Sequence, residues 1–338
     1  MTSPAEPLGG TVLAGTGGIV PPPAGTTADE PVTAVPTATM TSTSVQPAGQ
    51  SSASMPTTAT ATAAATVTSP ATGVIPAYDH VVMVLLENHG YTQIIGSSNA
   101  PYINSQVSAS ALFTNSHGGP DVLHPSFPNY IQLFSGGTQG VTNDNCPPAG
   151  QPFSVASLAS VLIAAGKTFG GYAQSAPAGF TACGPSPYAG RHVPWVWFSS
   201  VPQSVHHDFT AFPQTAGGWA TLPTVSIVVP DLAHDMHSFG TETDAQTIQA
   251  GDTWIQANLD GYAQWAKTHN SLYIIQFDED NFTTADHIPT MFIGQHVKAG
   301  QYGELVNHYI VLRTLADMFG AARPGKSAQV NPIIDCWN

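Results

Sequence analysis

The sequence predicts an α/β fold, a three-layer α/β/α sandwich around a mainly parallel sheet. Three observations predict it. Near-continuous apolar runs of strand length recur along the chain, as buried parallel strands require. Helical segments lie between them. Polar clusters begin where three of these runs stop, and the carboxyl ends of strands are where open α/β sheets build sites.

The first run, Tyr78 to Leu86 (YDHVVMVLL), stops at Glu87-Asn88 and reads as a buried central strand. Pro101 to Leu112 can form a helix. Ser126 to Phe134 reads as another, and Pro128 fits only a first turn, so Ser126 stands at or beside the N-cap. Serine is common there for structural reasons alone. The same geometry also points backbone N–H groups and the positive dipole end at any bound phosphate. Phe153 to Ala165 reads as a helix stopped by Gly166, and Lys167 to Tyr172 as a strand. Thr224 to Val229 (TVSIVV) is a buried strand ending at Pro230-Asp231. Asp252 to Lys267 is an amphipathic helix. Ser271 to Phe277 (SLYIIQF) is a strand ending at Asp278-Glu279, and Pro289 to Ile293 is a short one. His308 to Phe319 is a helix, with Asn307 as cap and Gly320 as stop.

Residues 1–75 differ from the rest. They consist mainly of Thr, Ala, Pro, Ser and Gly, with no aromatic residue and acids only at Glu6, Asp29 and Glu30. Such a segment buries too little apolar surface to offset its ordering entropy and is expected to be a disordered leader. Residues 76–338 suit one α/β domain.

Seven Lys and Arg oppose 21 Asp and Glu, a net charge of −14. No basic stripe exists to bind nucleic acid, and anionic membranes are disfavoured. A phosphate site in this chain needs local positive potential from a cation, a protonated histidine or a helix N-terminus. Thirteen histidines outnumber the Lys and Arg, which leans toward acidic working conditions. No apolar stretch reaches the roughly 18 residues of a membrane span, and no secretory signal is visible. Cys146 could pair with Cys183, both in Pro/Gly-rich loops, or either could pair with Cys336. A loop disulfide, the Thr/Pro/Ala-rich leader and the scarcity of lysine favour a secreted, periplasmic or cell-surface location.

Each polar cluster has a structural and a chemical reading. Glu87-Asn88 is a strand-end turn, or a pair of hard oxygen ligands. Asp278-Glu279-Asp280-Asn281 is a solvated acidic loop, or a set of carboxylates that repel one another unless a cation sits between them. His124 is a loop histidine, or a base or phosphate ligand beside Ser126. His234, Asp235 and His237 could bind metal through nitrogen, or place His237 over a phosphate with Asp235 fixing its tautomer. Arg191-His192 flanks a buried strand, or joins the site. His206, His207 and His269 carry no motif and are expected on the surface.

These blocks, in their order along the chain, resemble the phosphoesterase family of bacterial acid phosphatases and phospholipases C, within the alkaline-phosphatase-like superfamily. They are Glu87-Asn88-His89-Gly90, His124-Pro-Ser-Phe-Pro-Asn-Tyr130 with Ser135-Gly136, Arg191-His192-Val-Pro194, Pro230 to His237, Asp278-Glu279, His287-Ile-Pro289 and Asn307-His308-Tyr309. The resemblance implies one divalent metal held by Glu87, Asn88, Ser126, Asp278 and Glu279. Its donors suit calcium, magnesium or manganese, and histidine participation would admit zinc or iron. It implies Ser126 as nucleophile, bridging metal and phosphorus, while position along the chain puts Asn88 and, beside Ser126, His124 on the phosphate. His192, His237 and Asp235 complete the catalytic set, and a protonated His237 or His192 serves the leaving oxygen. His234 departs from the expected Asn. The function implied is acid phosphatase acting on small phosphate esters. Two alternatives are a phosphodiesterase or phospholipase C with an apolar groove near Trp195, Trp197 and Phe198, and an inactive surface-binding protein on the same fold.

Overall fold

The computed structural model describes residues 74–338 except Ala182, Ser238 and Phe239. The leader expected over residues 1–75 lies outside them, apart from its last two residues. Eight strands form one sheet: β1 (His80–Leu86), β2 (Ala111–Phe113), β3 (Phe169–Ala173), β4 (His206–Asp208), β5 (Val225–Val229), β6 (Ser271–Phe277), β7 (Thr290–Gly294) and β8 (Gly300–Tyr302). Their order is β4-β3-β5-β1-β6-β7-β2-β8. The five strands from β4 to β6 run parallel, and β7 pairs antiparallel with β6 and β2. The helices are α1 (Tyr91–Ile94), α2 (Pro101–Gln106), α3 (Ser126–Ser135), α4 (Leu158–Ala164), α5 (Ala216–Trp219), α6 (Asp244–Ala266) and α7 (His308–Met318).

Alternation along β1 divides the apolar interior into two cores. Val81, Met83 and Leu85 join Phe127, Tyr130 and Ile131 of α3 and Leu312 of α7. Val82, Val84 and Leu86 join Ile103 of α2 and Ile255 and Leu259 of α6. Full burial of each such side chain contributes roughly 1.5–3 kcal/mol, which explains why the central strands are apolar on both faces. On the α3 side, Trp195 lies flat against the sheet because Gly171 of β3 has no side chain: a Cβ there would meet the indole at 2.2 Å.

Several boundaries differ from expectation. The helix expected to Leu112 ends at Gln106, and β2 follows after a short 3-10 turn. The helix expected from Phe153 begins at Leu158, where Ser157 caps it, while Phe153 bridges to Phe198. α6 starts at Asp244, not Asp252, behind a Thr243/Gln246 capping box. Asn307 caps α7 through Ile310 N, and Gly320 follows with φ +62°. Cys146 and Cys183 form the disulfide, and Cys336 is buried and free. His206 is buried, at 8 % exposure, rather than on the surface, since β4 is drawn in beside β3. Among the described residues no helix is long and apolar enough to cross a membrane.

Candidate active site

The β1–β6 register sets the centre of the site. Leu86 pairs with Phe277, so the residues that follow, Glu87 and Asp278, emerge side by side at the carboxyl ends of the two strands. The backbone turns sharply there, with Asn88 at φ +53°. Asn88 N donates to Asp278 Oδ1 at 3.3 Å, and Glu279 N donates to the same oxygen at 2.6 Å. Glu87, Asp278 and Glu279 are almost completely buried.

α3 brings Ser126 to this pair. It is the first residue of the helix and is buried. Its hydroxyl lies 2.9 Å from Glu87 Oε2 and 3.0 Å from Glu279 Oε1. One turn along, on the same face, Asn129 Nδ2 donates to Glu279 Oε2 at 3.0 Å. The backbone N–H cradle expected at this helix start is partly spent, because Phe127 N donates to Asp144 Oδ1 and Pro128 has no N–H.

Glu87 faces two ways. Its other oxygen, Oε1, lies 3.2 Å from His192 Nε2, and His192 Nδ1 lies 3.2 Å from Asp235 Oδ2. Tyr130 stacks on the His192 ring at 5.1 Å and 8°. Asp235 Oδ1 accepts the backbone N–H of His237, whose ring is 6.0 Å from that of His192. Asp235 therefore orients the His192 ring and the His237 backbone, in place of the expected contact fixing the His237 tautomer.

Burial raises the Glu87 carboxyl pKa. Burial, then the Glu87 and Glu279 charges, pushes Asp278 well above the usual carboxyl range. Burial and then Glu87 raise Glu279 to about 9. Asp235 is also well above its ordinary value, through burial and then Glu87. His192 is driven well below the ordinary imidazole value by burial, then by Arg191 and His237. Its environment thus opposes the protonated form expected from the sequence.

These residues fit a cation. Glu87 Oε1 and His192 Nε2 are close but not aligned to hydrogen-bond, and Asn88 Oδ1 and Asp278 Oδ2 have no hydrogen-bond partner. Unpartnered buried polar atoms and desolvated acids are costly unless a counter-charge serves them. The tightest ligand groups among the described residues are Glu87–His192–Asp235 and His124–Asp280–Asp286, each with donor atoms within 4.8 Å of one another. The first contains Glu87 of the expected metal set but adds two residues that were expected to act in catalysis. Asp278 and Glu279 do not converge with Glu87 as closely.

His124, expected on the phosphate, is turned to the acidic loop instead. Nδ1 lies 3.2 Å from Glu279 Oε2, Nε2 lies 3.0 Å from the Thr283 carbonyl, and Phe282 stacks on the ring at 4.8 Å. His287 lies apart, with Nε2 3.1 Å from the Thr114 carbonyl and its ring stacked on Tyr91. Asn129, Tyr130 and Asp144 carried no role in the sequence reading. The spacing of three between Ser126 and Asn129 was the available signal. Trp195, Trp197 and Phe198 are core residues, so the apolar groove that a diesterase would use does not exist there.

A model of the phosphoesterase family matches residues 97–322. The chain is 41% identical over 268 residues to the phosphatidylinositol-3-phosphatase of Mycobacterium tuberculosis (strain ATCC 25618 / H37Rv), covering 79% of this chain and 85% of that protein. It is 25% identical over 268 residues to an acid phosphatase of Aspergillus fumigatus, covering 74% of this chain but only 57% of that longer protein. Among solved structures, it superposes on a protein in the alkaline phosphatase superfamily from Vibrio parahaemolyticus with a TM-score of 0.50 at 12% identity, covering 73% and 68% of the two chains. The lipoteichoic acid synthase LtaP of Listeria monocytogenes gives 0.51 at 10%, covering 74% of each. At these identities the structural likeness is one of fold alone.

Proposed function

This chain belongs to the phosphoesterase family and hydrolyses phosphoric esters, and from that premise we propose that it is a metal-dependent acid phosphatase working on monoesters through a phosphoserine intermediate. One observation carries the reading: the Ser126 hydroxyl sits at a helix start, hydrogen-bonded to carboxylates from two strand ends.

Glu87, Asn88, Ser126, Asp278 and Glu279 would hold the cation, using the unpartnered oxygens of Asn88 and Asp278. When bound, a divalent ion supplies Lewis-acid charge that neutralises the phosphate and favours ionisation of the hydroxyl. The side chains do the rest. Glu87 and Glu279 aim the Ser126 oxygen, and one of the two takes its proton as it attacks phosphorus in line. The positive end of the α3 dipole faces the incoming phosphate. His237, half-buried beside the neutral His192, gives a proton to the departing alcohol oxygen. It then accepts one from the water that cleaves the phosphoserine, and the carboxylate returns the proton to Ser126. Histidine is the main cation available in so acidic a chain, which supports an acidic working range.

The tight Glu87–His192–Asp235 group supports a second reading of the metal, a mixed nitrogen and oxygen site suited to zinc or iron. The Cys146–Cys183 disulfide supports an exported location. Ser126→Ala should abolish hydrolysis of p-nitrophenyl phosphate while elemental analysis still finds the metal. Turnover near the parent level would show that another group is the nucleophile.

A further inference from the structure

Beside His237 a groove opens that the chemistry above does not use. Its inner compartment, about 290 Å³, lies against His237, Leu232, Glu242 and Thr247. It adjoins an outer compartment of about 510 Å³ along Gln246 and Ala250. The outer wall is α6, which presents Gln249, Thr253 and Asn258. His234 also lines it, with its ring stacked at 6.1 Å and 28° on that of Trp254, a buried residue of the same helix.

Resting on the phosphomonoesterase reading, we propose that this groove holds the alcohol portion of the substrate, and that this alcohol is an uncharged polyol. The position fits, because the groove begins at the group that would protonate the departing alcohol. Its volume falls in the range of ordinary ligand sites. Its chemistry selects the occupant. In the outer compartment three carboxamides and a hydroxyl supply donors and acceptors together, as neighbouring hydroxyl groups require. Asp231 Oδ1 holds His234 Nδ1 at 2.9 Å, which leaves Nε2 as the polar atom the ring offers.

Charge excludes the other candidates. No Lys or Arg lines either compartment, so a leaving group with a second phosphate or a carboxylate finds no partner. Glu242 is the one acid in the lining, and it is exposed, where water and salt screen its pull on an ammonium group.

Thr253 and Ala257 line the outer compartment and are exposed on α6, so bulk there fills the groove without entering the core. Thr253→Trp and Ala257→Trp should lower kcat/KM for glucose 6-phosphate at least tenfold relative to p-nitrophenyl phosphate, mainly through KM. A smaller change in that ratio, including a proportional loss on both substrates, overturns the proposal. A selective loss on phosphoethanolamine overturns the polyol and assigns the groove to amino alcohols. The unsubstituted protein, assayed alongside with added divalent cation, separates this failure from a deeper one. If it turns over none of the three esters, the phosphomonoesterase reading falls and the groove proposal with it.

Discussion

Asn129 commits its whole amide to one arrangement. Oδ1 accepts the Gly119 N–H at 2.8 Å, and Nδ2 donates to the Leu123 carbonyl at 2.7 Å and to Glu279 Oε2 at 3.0 Å. Asn129→Leu keeps the volume but leaves a buried N–H and a buried carboxylate oxygen unserved. Unfolding in urea should show a loss of about 1–3 kcal/mol. A metal titration should show affinity weakened by roughly 10–100-fold, the usual effect of removing a residue that orients a ligand. Unchanged metal affinity would reduce Asn129 to a packing role. At this scale the sequence disclosed which residue types meet but not which atoms. Glu87, Ser126, Asp278 and Glu279 were legible because they follow apolar runs or open a helix. The turning of His124 toward Glu279 and Thr283 was not, since it depends on how the loop after β6 folds back.

α3 is the element on which the site depends, and it needs a defined end as much as a defined start. It stops at Gly136, whose φ of +72° lies in the left-handed region. A Cβ there would meet the Pro324 carbonyl oxygen at 2.2 Å. Gly136→Ala should therefore cost more than the roughly 1–2 kcal/mol of a left-handed alanine, read as a lowered urea midpoint with an unchanged slope. A cost below 1 kcal/mol would mean that the segment around Pro324 yields freely. Elements with strong periodicity were legible, namely β1, β5, β6, α3 and α7. The first two turns of α6 were not, because Gln, Thr and Gly there give no apolar stripe, and the helix is specified by its Thr243 and Gln246 cap. The short strands β2, β4 and β8 escaped because three residues carry no period. Their place is set by pairing with distant strands.

For the molecule as a whole, pH dependence is the accessible test. Glu304 has a buried, unpartnered Oε1, and burial followed by Asp335 raises its pKa from 4.5 to about 7. The fold thus binds this proton more tightly than the unfolded chain does. Its contribution to stability is fully present below pH 4.5 and is lost as pH rises to about 7. Glu304→Gln should leave the melting temperature unchanged near pH 4 and raise it increasingly up to neutrality. A constant difference across that range would point to hydrogen bonding rather than charge.

The division of the sheet into two cores has a consequence for how such a protein can diversify. Ser126 and its helix rest on the side of β1 that shows Val81, Met83 and Leu85, whereas α6 rests on the side that shows Val82, Val84 and Leu86. The reactive hydroxyl and the groove wall are thereby insulated from one another by a single layer of strands. Mutational drift can rewrite the outward surface of α6, and with it the taste for one alcohol over another, while the attacking machinery keeps its footing.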